Sequence, residues 1–184
     1  MIMRALSLFI AICFAGLTAC GQTLLNKSSG ESDAPYGARV QARLIDTTGQ
    51  RIGKVIAWQS IDGMLLQVRA ENLPAGMHGL HLHAVGNCSD IGSFKLSGGH
   101  LQGEGGVHGL LHPNGSHGGD LPNLYAHENG IARADFFSTL VTIGDLQDTD
   151  GAALIVHKRA DDYQTHPIGG AGARIACAVF KGGR

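Results

Sequence analysis

From Ala38 onward, apolar residues alternate with polar ones in short runs, and no long 3.6-residue apolar period appears. Successive side chains of a strand point to opposite faces, so this rhythm predicts half-buried β-strands. Ala38 to Asp46 alternates until Thr47-Thr48-Gly49-Gln50 breaks it. Arg51 to Ile61 is a second run, and Asp62-Gly63 is a strong hairpin signal. Met64 to Glu71 follows, then the turn Asn72-Leu73-Pro74-Ala75-Gly76, then His78 to His83. Further strands are expected at Ile131 to Ser138, Leu140 to Asp145, Ala152 to His157 and Arg174 to Phe180. The pattern predicts an all-β sandwich or flattened barrel of about eight short strands.

One stretch breaks the rhythm. Ala84 to Asn129 shows almost no strand pattern and holds Cys88 and five histidines. Loops beyond roughly 15 residues in compact domains are usually functional or disordered. This one is expected to fold around a metal. A second loop, Lys158 to Ala173, is rich in Gly and charge. The 28 glycines follow no repeat period, which suits many turns and shaped loops. A length of 184 residues fits one domain with a proper core. The net charge of -1 and the lack of a basic run along the sequence give no support for a nucleic-acid partner.

Met1 to Ala19 is expected to be a signal peptide rather than part of the fold. Arg4 gives a positive start, and Ala5 to Leu17 is an apolar run too short to span a membrane comfortably. The ending Leu17-Thr18-Ala19-Cys20 resembles a bacterial lipoprotein signal, with cleavage before Cys20 and lipid on its sulfur. The alternative is ordinary cleavage nearby with Cys20 incidental. Gly21, rather than Asp, after the cysteine resembles outer-membrane sorting. The expected location is therefore the periplasm or cell envelope, with the membrane reached only through a lipid at Cys20. Residues 20–37 then form the lipidated cysteine and a flexible polar tether, and residues 38–184 the folded domain. Cys88 and Cys177 remain. In an exported chain such a pair suggests a disulfide, closing a loop worth about 4 to 5 kcal/mol in chain entropy. The alternative is two buried free thiols.

The candidate chemistry lies in the histidines. His81 and His83 stand two apart on a predicted strand, so both rings share a face. The long loop carries Gly98-Gly99-His100, then His108-Gly109, then Ser116-His117-Gly118-Gly119-Asp120. Three imidazoles and one carboxylate suit a closed tetrahedral zinc site, which would pin a loop lacking regular structure. His81, His83 and the distant His157 form a second set. An all-nitrogen site with an open position suits copper.

With these motifs the sequence resembles the bacterial copper/zinc superoxide dismutase family from about Ala38 to Phe180. The resemblance rests on His78-Gly79-Leu80-His81-Leu82-His83, Gly86-Asn87-Cys88-Ser89, Gly99-His100, His108-Gly109, His117 to Pro122, Val156 to Asp162 and Gly172 to Cys177. It implies an eight-stranded Greek-key flattened barrel, immunoglobulin-like, with a metal-binding loop and a charged loop. It implies copper held by His81, His83, His100 and His157, and zinc held by His100, His108, His117 and Asp120. His100 would bridge the two ions and take part in catalysis. Asp161 would orient His81 and His108 from behind. Arg174 would be catalytic at the channel mouth, drawing in superoxide. Cys88 and Cys177 would be the family's disulfide. The implied activity is dismutation of superoxide to oxygen and hydrogen peroxide, protecting the cell envelope; the alternative is a copper/zinc store or chaperone on the same fold. Relatives of this kind include dimers and monomers, so a homodimer is possible and the oligomeric state is open.

Several residues lie outside that set. Lys95, just before His100, is the candidate for steering the anion. His78 is expected behind the copper strand as a structural residue, and His112, His127 and His166 in loops. Trp58 is expected in the core or an interface. The family usually continues from the bridging histidine with Phe-Asn-Pro; here Leu101-Gln102-Gly103 follows. Leu110-Leu111-His112-Pro113 is the candidate for restoring the lost packing.

Overall fold

The structure, a computed structural model, describes residues 37–101 and 106–182. The expected signal peptide, Cys20, most of the tether and Gln102-Gly103 lie outside the described residues. Among the described residues eight strands form: β1 (Arg39–Asp46), β2 (Arg51–Gln59), β3 (Met64–Ala70), β4 (Gly76–His83), β5 (Asp120–Ala126), β6 (Ala132–Ser138), β7 (Ala152–His157) and β8 (Arg174–Phe180). Every pairing is antiparallel, in the order β5-β4-β7-β8-β1-β2-β3-β6. The turn between His127 and Ile131 brings the two end strands side by side, so the sheet is a nearly closed barrel. The β3-to-β4 and β6-to-β7 connections cross between distant strands, as in a Greek key. The expected all-β, eight-stranded architecture is present.

Alternation decides what each face buries. Leu80 and Leu82 on β4, and Leu154 and Val156 on β7, point inward with Leu44 and Phe180 into one apolar core. Each such buried side chain contributes about 1.5 to 3 kcal/mol. The intervening residues of β4 and β7 point outward, yet they are buried too. The segment after β4 folds back over them. Cys88 and Phe94 from it pack on Ala153, Ile155 and Cys177 in a second small cluster. A disulfide joins Cys88 to Cys177, with Cα atoms 6.2 Å apart. The outer face of β4 and β7 thus has a roof, which makes it a place to bury polar rings.

Two element assignments differ from expectation. Leu140 to Asp145 is not a strand. Its C-terminal part joins a short helix, α1 (Ile143–Leu146), opened by a capping box in which Thr142 Oγ1 accepts from Asp145 N–H and the Asp145 carboxylate accepts from Thr142 N–H. The apolar pair Ile143 and Leu146 is spaced for a helix turn and is buried. Conversely, β5 lies inside the stretch expected to be irregular. Pro122 and Asn123 hide its alternation, but Leu121, Leu124 and Ala126 all turn inward. Pro is tolerated because β5 is an end strand of the ladder.

Candidate metal centre

Register brings the distant histidines together. His81 lies opposite Ile155, and His83 opposite Ala153, while His157 stands at the end of β7 opposite Arg174. The three rings therefore share the outer face of neighbouring strands. His100 is drawn down from the loop by a bridge to His83, and Leu101 N–H donates to Leu82 O at 2.8 Å. Leu101 is buried in the core, so it anchors the loop directly after His100. Leu111, by contrast, is 66% exposed, and Leu110 is also exposed, so that pair does not restore the lost packing.

Two groups of potential ligand atoms result. His81, His83, His100 and His157 each present one atom within a common 4.8 Å. Four buried nitrogens have no hydrogen-bond partner among the described residues: His81 Nδ1, His83 Nε2, His100 Nε2 and His157 Nε2. An unpaired polar atom in a protein interior is costly, and a ligated metal satisfies it. The other nitrogen of three of these rings is committed. His83 Nδ1–H donates to Gly98 O at 2.8 Å, and His157 Nδ1–H to Gly172 O at 2.9 Å. His81 Nε2–H donates to Asp161 Oδ2 at 2.7 Å. Each bond fixes a tautomer whose lone pair sits on the unpaired nitrogen.

The second group surrounds Asp120. Its Oδ1 lies 2.9 Å from His100 Nδ1, 3.0 Å from His108 Nδ1 and 3.8 Å from His117 Nδ1. Its Oδ2 accepts from the backbone N–H of Gly109 and His117. His108 Nε2–H donates to Asp161 Oδ1 at 3.2 Å, so Asp161 ties a ring of one group to a ring of the other. His100 turns Nε2 to the first group and Nδ1 to Asp120; His81 also comes within 4.8 Å of the ligand atoms of His100, His108 and Asp120, and His117, at 3.8 Å from Asp120, stands at the edge of that cluster.

Electrostatics follow from burial and neighbours. Burial, helped by Arg174, pushes His83 down to about 2, and burial with the nearby His81 pushes His157 down to about 3. Burial also lowers His81, against its bond to Asp161. These three rings are therefore held neutral, the form that binds metal. Burial pulls His108 down, but the bonds to Asp120 and Asp161 outweigh it and raise that ring to about 9. Burial opposes ionisation of Asp120 and Asp161, yet their histidine partners hold both carboxyls well below the usual range.

Every expected ligand, Asp161 and Arg174 are found at this one place. Arg174 Nη1 donates to Phe94 O and Ser97 Oγ, and Nη2 to Gly98 O. Lys95 is exposed at the start of the 3₁₀ turn Lys95–Ser97. His78 is buried behind the site, its nitrogens 2.8 Å from the His157 and Pro74 carbonyl oxygens. His112 and His127 lie in loops, and His166 stands 6.1 Å from the His117 ring. Sequence reasoning missed the carbonyls of Gly98 and Gly172. It also missed Asn123, which accepts from Asp161 N–H and donates to Asp161 O. Backbone acceptors carry no residue signature, and Asn123 lay in the unrecognised β5.

A Greek-key barrel with four converging imidazoles beside a three-histidine, one-carboxylate cluster is a two-site metalloprotein scaffold. The chain belongs to the copper/zinc superoxide dismutase family, whose family model matches residues 52–180. It is similar to the Cu-Zn superoxide dismutase of Caulobacter vibrioides, at 40% identity over 72% of this chain and 80% of that protein. Among solved structures it resembles a SOD-like protein from Bacillus subtilis: TM-score 0.70, 30% identity, 78% of this chain and 99% of that one. The Cu/Zn superoxide dismutase of Brucella abortus matches with TM-score 0.66 and 28% identity, over 78% and 99%.

Proposed function

We propose that the chain is a superoxide dismutase of the cell envelope, converting two superoxide ions and two protons to oxygen and hydrogen peroxide. The observation that carries this reading is the set of four unpaired nitrogens on His81, His83, His100 and His157, next to Arg174. All-nitrogen donors of this kind fit copper, and His100, His108, His117 and Asp120 fit zinc. Copper held there would supply the one-electron redox couple that dismutation needs.

The chain's own residues do the rest. Among the described residues Arg174 spends three N–H groups on Phe94, Ser97 and Gly98, leaving two of its five donors for an anion. Its charge attracts superoxide, and exposed Lys95 adds to the same field. His100 bridges the two groups. Serving as a ligand on both sides requires loss of both ring protons, which two adjacent cations make reasonable. His100 Nε2 is then the atom on which this chain can hold a proton for the departing peroxide. Asp161 keeps the His81 and His108 rings aimed with Nδ1 forward. The signal segment and a lipid at Cys20 would place the domain in the periplasm, attached to the outer membrane.

A second reading departs from turnover, and one relative, from Bacillus subtilis and 32% identical over 98% of this chain, is named only as superoxide dismutase-like. On that reading the chain stores or delivers copper and zinc. Superoxide consumption by the metal-loaded chain, with metal content measured on the same sample, separates the two. Rapid turnover supports the enzyme; stoichiometric copper and zinc without turnover rejects it.

A further inference from the structure

The outer face of the β1-β2-β3-β6 half of the barrel carries a feature the metal centre does not use. Its register aligns outward side chains in three rows across four strands. One row is Arg43, Lys54, Arg69 and Arg133, each opposite the next. The middle row is Gln41, Ile56, Gln67 and Asp135, in which Ile56 is itself buried, and the third is Arg39, Trp58, Leu65 and Phe137. Like charges directly opposite one another destabilise an antiparallel pair, so four cations in a row work against folding. Among the described residues the row has one ion pair, Arg69 with Asp135 at 2.9 Å, and both partners are partly exposed. Glu71, just past β3, forms no ion pair with it among the described residues.

The opposite edge of the same face is mainly apolar, with Arg39 in its row and exposed Asp62 beside Ile61. Phe137 is 54% exposed, Leu140 51% and Ile61, in the β2–β3 turn, 77%. The Arg39 guanidinium lies 5.7 Å over the Trp58 ring. The chain enters the barrel here: Gly37 N–H donates to Gln59 O, and Gln59 N–H to Ala38 O.

We propose that this face docks on an anionic lipid surface, with the four-cation row over lipid phosphates and the Ile61, Leu65, Phe137 and Leu140 edge at the headgroup boundary. Basic residues beside exposed aromatic and aliphatic groups match that boundary. A nucleic acid or polysaccharide would meet the cations and leave the apolar edge uncovered. The point of chain entry favours the same partner, since the segment from Cys20 to Gly37 spans at most about 60 Å. A lipid at Cys20 would hold the face at high local concentration against the bilayer. The proposal is independent of dismutation and gains from that anchor without requiring it. In the strand order, β4 and β7 lie across the barrel from β2 and β3, so docking turns the metal centre toward water.

Trp58 is the single tryptophan, so its emission reports this face. The full chain is mixed with vesicles of phosphatidylglycerol and phosphatidylcholine bearing brominated acyl chains, and with brominated phosphatidylcholine alone. On the anionic vesicles Trp58 should be quenched by bromine and shielded from acrylamide, and high salt should reverse both. The triple variant Arg43→Gln, Lys54→Gln, Arg133→Gln spares the Arg69 ion pair. Its docked-to-undocked ratio should fall roughly 100-fold, with the unfolding midpoint as the control for folding. Co-flotation with Trp58 unquenched would reveal an anchor with an undocked face and overturn the proposal, separately from any result on Cys20. Equal quenching of the triple variant would overturn it as well. So would shielding of Trp58 by duplex DNA, heparin or self-association when anionic vesicles give none.

Discussion

Arg174 and His83 donate to the same acceptor, the carbonyl oxygen of Gly98, each at 2.8 Å. One peptide group therefore sets both the tautomer of a candidate ligand ring and the position of the cation beside it. Gly98 has φ 74°, and an added Cβ would lie 3.2 Å from Val85 Cγ2. Gly98→Ala should disturb both residues together. The expected outcome is weaker copper retention and lower activity, with zinc content unchanged, read by metal analysis and superoxide consumption.

Arg174→Ala removes the attracting charge and leaves every ligand in place. Superoxide consumption should fall roughly 10- to 100-fold, with a weaker dependence on salt. Copper and zinc content should match the unaltered protein. Loss of copper in the same sample would mean that Arg174 acts mainly through Gly98.

His157→Ala deletes a ring that belongs to only one ligand group. Copper and activity should be lost while zinc stays near one equivalent. Competition with a chromogenic zinc chelator measures this directly.

Asp161→Asn keeps the shape but ends the double acceptor role toward His81 and His108. Partners of this kind are typically worth 10- to 100-fold in metal affinity, so both metals should bind more weakly by about that factor. Gly169 stands against this carboxylate at φ 57°, where a side chain would collide with Asp161 and His108. Gly169→Ala should mimic the Asp161 change.

Stability of the metal-free protein should peak near pH 6.5. His83 and His157, lowered from 6.5 to about 2 and about 3, bind protons more readily when unfolded. Their contribution is complete above 6.5 and is lost as pH falls below it. His108, raised to about 9, contributes fully below 6.5 and loses that contribution as pH rises through 9. Urea midpoints across this range test both limbs; a midpoint that climbs steadily into acid would contradict the buried neutral rings.

The strand pattern made most of the barrel legible, because alternation is a local property. It failed where local signals conflict with context. Pro122 and Asn123 concealed β5, and a run near Leu140 that looked extended is turned into a helix by the Thr142–Asp145 cap. The candidate ligand histidines were legible because their residue types and spacings are chemical statements in themselves. The acceptors that aim them were not, because the Gly98 and Gly172 carbonyls are identical to every other peptide group until the chain folds.

By itself, the sequence determined the residue types able to hold metal, the all-β class and the family. Tertiary structure decided which nitrogens remain free, since that depends on what each ring's other nitrogen meets across 15 to 80 residues of chain. It also decided that Arg43, Lys54, Arg69 and Arg133, scattered through a nearly neutral chain with no basic run, stand in one row. Composition sums charge over the chain, whereas strand register places it in space.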